Sequence, residues 1–129
     1  NTLLIKKKQT HKLLKNITIA VSGVGSLYPV FDSPLATTNY LDEKGKILLK
    51  EKAAYGDVIL RFIDKNGEEC DTPYKDRTLS ISLEDFRRIP CKILVASGVQ
   101  TEDTMKAALK GKLADILVVD DKLADKIIA

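Results

Sequence analysis

Short β-branched runs alternate along this chain with stretches of helical period. Leu3, Leu4, Thr10, Leu13 and Leu14 recur at roughly helical intervals among Lys6, Lys7, Lys8, Lys12 and Lys15, which predicts a basic amphipathic helix over residues 2–15. Ile17-Thr18-Ile19-Ala20-Val21 then predicts a buried strand stopping at Ser22-Gly23-Val24-Gly25-Ser26, a glycine-containing loop. Such a loop matters because ligands of open α/β sheets settle outside the carboxyl ends of the strands, where loops expose backbone N–H groups. Residues 27–39 hold two prolines and no period, and are expected to be loop.

Residues 41–54 read as a helix weakened by Gly45 and broken at Tyr55-Gly56. Asp57 to Asp64 reads as one strand, turning at Lys65-Asn66-Gly67 and returning through Glu68 to Asp71. A short strand is expected over residues 77–81, followed by a helix that Ser82 caps through a Ser-x-x-Asp box and Pro90 ends. Lys92 to Ser97 is an apolar strand and Gly98 opens a loop. Thr101-Glu102-Asp103 begins a helix in which Met105, Ala108, Leu109 and Lys112 form the inner stripe and Gly111 marks the stop. Residues 115–119 form the last strand, followed by a helix from Asp121 with Leu123, Ala124, Ile127 and Ile128 facing inward. This alternation is that of parallel βαβ units.

The length of 129 residues suits one domain or one compact half of a larger one. Asn1-Thr2-Leu3 has neither an initiator Met nor a signal-peptide pattern, so an interior fragment is expected. With 44% hydrophobic and 30% charged residues the composition is that of a soluble globular protein, and its apolar runs fall far short of the ~20 residues of a membrane span. Twenty-one basic against 18 acidic residues leave a net charge of +3, too small to point to nucleic acid. No Trp, four Tyr and three Phe give few stacking platforms for single strands. Cys70 and Cys91 have no histidine near them, His11 stands alone, and neither a metal site nor a nucleophilic thiol is expected. The absence of a disulfide framework sets the cytoplasm as the default compartment.

Two constellations carry candidate chemistry. The segment Gly23 to Ser26 is either a tight turn after a buried strand or a cradle for an anion or sugar, since prolines follow where a dinucleotide fingerprint needs a helix and a third glycine. Asp57, Asp64, Asp71 and Asp76 with Arg61 and Arg77 suit a hydroxyl-rich ligand, because carboxylate oxygens accept several hydrogen bonds at once. The alternative is a network that fixes the fold, which Asp57 escapes best by lying at a helix-to-strand junction. The lysine run near the amino end is read as a solvated helix face and Met105 as core.

The order Val21-Ser22-Gly23-Val24-Gly25-Ser26, Tyr55-Gly56-Asp57, Arg61-Phe62-Ile63-Asp64 with Gly67, Asp71-Thr72-Pro73 and Asp76-Arg77 continues in residues 81–90, Val95-Ala96-Ser97-Gly98 and Leu117-Val118-Val119-Asp120. Over residues 17–129 it resembles the sugar-binding domain of SorC-type bacterial transcriptional regulators. The resemblance implies an α/β fold, with a Rossmann-like three-layer core related to the sugar-phosphate isomerases and deaminases. These 129 residues are then the C-terminal portion of the effector domain, with residues 58–90 as a small hairpin-containing subdomain. It implies a sugar or phosphorylated sugar as effector, no catalysis, no cofactor, a homo-oligomer, and DNA contact through a separate helix-turn-helix domain.

Asp57 matches a carboxylate that contacts ligand hydroxyls in the family, and Gly23, Val24, Gly25 and Ser26 match a loop near the pocket. Ser97 and Gly98 are expected to face the ligand as well. A family lysine that pairs with a ligand phosphate falls where this chain has Thr101. The readings from other classes are a sugar-phosphate isomerase or deaminase with Asp57 or Asp64 as general base, and a pure oligomerisation module.

Overall fold

The computed structural model describes residues 2–129 without the side chains of Leu3 and Leu4; Asn1 and those two apolar positions of the expected first helix lie outside the described residues. Five strands form one sheet. β1 (Ile19–Ser26) is central, with β4 (Cys91–Ala96) and then β5 (Ile116–Val119) parallel on one side. β2 (Gly56–Val58) and β3 (Arg61–Ile63) lie antiparallel on the other, in the order β3-β2-β1-β4-β5. The helices are α1 (Thr2–Leu14), α2 (Pro34–Thr37), α3 (Glu43–Glu51), α4 (Tyr74–Arg77), α5 (Leu83–Arg87), α6 (Glu102–Lys110) and α7 (Asp121–Ile128).

Helix starts follow side-chain chemistry. Ser33, Asp42, Ser82 and Asp120 each accept a hydrogen bond from a first-turn N–H of α2, α3, α5 and α7, satisfying donors that a helix leaves free. Ser82 does so through Asp85 N, as its capping box predicts. Thr101 does not cap α6: a 3-10 turn over Val99–Thr101 precedes that helix, and the Thr101 hydroxyl donates to Gly98 O at 2.8 Å. α1 is helical as expected, yet among its described side chains only Leu14 is even partly buried.

Several expectations are corrected. Residues 27–39 are not loop throughout, since Pro34–Thr37 form α2, and the run expected as a buried strand leaves Ile19 and Val21 62% and 66% exposed. Gly23 to Ser26 is not a loop: the segment is strand, paired through Gly23 with β4 and from Val24 to Ser26 with β2. Asp57 to Asp64 is not one strand: it folds on itself at Ile59 and Leu60, both at positive φ (50° and 66°). That conformation costs about 1–2 kcal/mol in a residue with a β-carbon, which is why two aliphatic residues gave no turn signal. The Asn66-Gly67 turn exists in addition, with Gly67 at φ 75° and Ile63 bridged to Glu69. Residues 77–81 form no strand, because the guanidinium of Arg61 takes carbonyls that a neighbouring strand would otherwise have to satisfy, those of Ser80 and Ile81 at 2.7 and 2.6 Å.

One core cluster joins Leu94, Met105, Ala108, Leu113 and Leu123 with Val58, Ile63, Leu83, Phe86 and Ile89, so residues from the 58–90 segment share it. It packs α5, α6 and α7 against the sheet face that carries Ala20, Val24, Ala96, Leu117 and Val119. A second cluster around Phe62, Leu49, Leu41 and Tyr74 lays α2 and α3 over the opposite face, at the β2–β3 side. The result is a three-layer arrangement at one side of the sheet and a two-layer arrangement at the other.

Candidate functional site

Asp57 lies directly across from Gly25 on β1 and from Phe62 on β3. Residues directly opposite in antiparallel strands share a face, so the carboxylate stands above Gly25. A β-carbon on Gly25 would collide with Asp57 Oδ1 and with the side chain of Ser33, which makes glycine the residue that permits this approach. Ser33 is held from behind, where its backbone N–H donates to Ser26 O at 2.8 Å. Its hydroxyl accepts from Leu35 N at 3.1 Å and donates to Asp57 Oδ1. One residue thus starts α2 and fixes the carboxylate.

Asp57 is only 6% exposed, and among the described residues it has no ion-pair partner. Burial pushes its pKa above the usual carboxylate range, and the Ser33 hydroxyl offsets part of that rise. The carboxylate opens on a concavity of about 240 Å³ lined by Ser22, Gly23, Val24, Gly25, Pro34, Ile59 and Leu60. Its floor is flat because two alternate positions of β1 carry no side chain. Asp57 is the one ionisable group in that lining, so the concavity offers a hydrogen-bond acceptor and apolar walls, with no second acid or base.

Of the predicted site residues, Gly23, Val24, Gly25 and Asp57 come together here. Ser26 does not line the concavity: it is fully buried, with its hydroxyl 2.9 Å from Gln100 O and 3.1 Å from Tyr28 O. Ser97 and Gly98 have another partner, since the Ser97 hydroxyl and the Gly98 N–H donate to Asp120 Oδ2 at 3.0 and 2.6 Å. Those donors, with the N–H of Leu123, hold the Asp120 pKa below its usual range. Asp32 accepts from the Gln100 amide at 2.8 Å, which ties the loop after β4 to the one after β1. Ser33, Pro34, Ile59 and Leu60 were not foreseen as site residues. Only the Ser33-Pro34 pair carried a local signal, that of a helix start.

Of the other acidic and basic candidates, Asp64, Arg61 and Arg77 serve the fold, whereas Asp71 and Asp76 are not brought to the Asp57 concavity. Asp64 Oδ1 accepts from Asn66 N and Glu68 N in the turn, Arg61 pairs with Glu69 at 2.8 Å, and Arg77 lies over the Tyr74 ring. Cys70 is buried, its thiol pushed up to about 12 chiefly by burial. No cluster of three or more His, Cys, Asp or Glu suited to a metal is found among the described residues. A larger hollow of about 580 Å³ lies between α1 and residues 76–85, but its buried charge, Arg61, is already spent on Glu69 and on backbone carbonyls. No helix among the described residues is long and apolar enough to cross a membrane.

Residues 4–129 match the family described as "Putative sugar-binding domain". The chain belongs to this sugar-binding domain family. Its sequence is 36% identical over 110 residues to the deoxyribonucleoside regulator of Bacillus subtilis (strain 168), covering 85% of this chain and 34% of that protein. The fold is similar to that of a DeoR family transcriptional regulator from Listeria monocytogenes, with a TM-score of 0.85 at 30% identity over 98% of this chain and 51% of that one. It is also similar to that of the full-length sorbitol operon regulator SorC from Klebsiella pneumoniae, with a TM-score of 0.82 at 26% identity over 95% of this chain and 39% of that one. The sugar-binding domain chain thus spans about a third of the curated relative and about half or less of the solved ones. The motif resemblance to SorC-type regulators and the α/β fold it implies agree with these likenesses.

Proposed function

We propose that this chain is the effector-reading part of a transcriptional regulator, and that Asp57 accepts hydroxyl hydrogens of a sugar or phosphorylated sugar. One observation carries the reading: a buried carboxylate with no ion-pair partner among the described residues, in the lining of a concavity beside Gly23 and Gly25. A buried carboxylate needs donors, and Ser33 supplies only one. The hydroxyls of a polyol supply the rest. In this reading the site binds rather than reacts, which the match to a sugar-binding domain family supports. Binding shifts the regulator, a homo-oligomer acting on DNA in the cytoplasm, between conformations by differential affinity.

A melting-temperature screen of the intact regulator against free and phosphorylated sugars tests this. The parent is expected to gain several degrees with at least one sugar, because ligand at about 100 times Kd stabilises by about 2.7 kcal/mol. Asp57→Ala is expected to stay folded and to lose that gain. A variant that responds like the parent removes Asp57 from the site. Turnover of a sugar phosphate moves the chain to the isomerase or deaminase class.

A further inference from the structure

The β2–β3 hairpin closes on Ile59 and Leu60, and positive φ at both central residues is the mark of a type I′ turn. Asn-Gly is the preferred pair there, whereas a β-branched Ile is among the residues least suited to it. Packing explains half of this choice, since Ile59 reaches back to the main core. It does not explain Leu60, which is 56% exposed. An exposed leucine therefore stands where glycine would be free of strain. Both residues line the concavity beside Asp57. Backbone strain retained against local preference collects at ligand sites.

We propose that Leu60, backed by Ile59, is a specificity-determining residue of the sugar site, covering the carbon face of the ligand whose hydroxyls Asp57 reads. The proposal rests on the reading of Asp57 given above. A sugar ring presents C–H faces beside its hydroxyl edges, and a carboxylate next to an aliphatic wall matches one of each. A hydroxyl turned toward Leu60 and Pro34 lies against apolar surface without a partner, so the site disfavours sugars that carry one there. The ligand class is a sugar or sugar phosphate with a hydroxyl-poor face, of which a deoxy sugar is the clearest case.

Calorimetric titration of the intact regulator with ribose, glucose and their 2-deoxy counterparts, each free and as its terminal phosphate, tests the assignment. The parent is expected to bind at least one deoxy probe ten-fold more tightly than its hydroxylated counterpart. Leu60→Gly and Leu60→Asn are expected to lose ten-fold or more on that probe, together with the preference. Their melting temperatures should equal or exceed that of the parent, because Gly and Asn accept positive φ. Parental affinity in either variant overturns the role of Leu60, as does a melt several degrees lower in both, which would make it a folding residue. A parent that binds no deoxy probe more tightly overturns the ligand class. Asp57→Ala binding like the parent rejects the underlying site reading instead.

Discussion

Asp57 gives up hydration for its place beside Gly25, and the consequence is a pH dependence with a definite sign. Its native pKa is raised, so between the ordinary carboxylate range and that raised value the folded chain holds a proton the unfolded chain has released. Stability from this group is therefore full at acid pH, falls as pH rises through that window, and is level above it. Asp57→Asn keeps the shape and an acceptor for the Ser33 hydroxyl but removes the charge. Thermal melts between about pH 3 and 8 should show the Asn variant above the parent at neutral pH and the two converging in acid, below the ordinary Asp value of about 3.9. Sugar affinity should move the opposite way, weakening in the parent as Asp57 protonates and lower in Asp57→Asn by about ten-fold or more, since a hydrogen bond to a charged group is worth about 1.5–3 kcal/mol. An Asn variant that melts below the parent at neutral pH would show that the carboxylate stabilises its surroundings.

The segments between β3 and α5 are organised by Arg61 rather than by a strand of their own. Its guanidinium, nearly buried, reaches Glu69 and carbonyls on both sides of residue 79. Arg61→Ala leaves Glu69 and those carbonyls without their donor, and urea unfolding should show a loss of about 3–5 kcal/mol. Arg61→Lys should recover only part, because one ammonium cannot span the same fork. The same network marks where sequence reading runs out. Elements whose cause is local were legible: the presence of α3, α6 and α7, the β-branched runs of β4 and β5, and the Ser82–Asp85 box, although Leu109, Lys112 and Ile128, read as inward-facing, are exposed. Residues 77–81 carry strand-like composition, and the group that takes their carbonyls lies about twenty positions away in the chain. Asp57 stands out in the sequence because it adjoins the Tyr55-Gly56 break, whereas its partner Ser33 is 24 residues distant and announces only a helix cap.

The sheet as a whole is covered unequally. α5, α6 and α7 close one face, while α2 and α3 cover the other only over β2, β3 and the end of β1. On the open part, Val21, Ile93 and Ile116 make one cross-strand row, and Gly23, Val95 and Val118 the next. Val21 is 66% and Val118 51% exposed, although parallel strands are ordinarily buried on both faces. These rows run up to Gly23, so whatever lies over them also walls the Asp57 concavity. The solved Listeria relative carries about as much chain again, enough for another helical layer. Left alone, an apolar face of this kind drives association. The 129-residue chain by itself should therefore form concentration-dependent oligomers in sedimentation velocity and bind a hydrophobic dye. Val21→Lys with Val118→Lys should shift it to monomer and reduce the dye signal several-fold. The melt should change little, since both side chains already face solvent. A parent chain that stays monomeric at high micromolar concentration, without dye binding, would mean that this face is closed by a rearrangement of the chain's own elements.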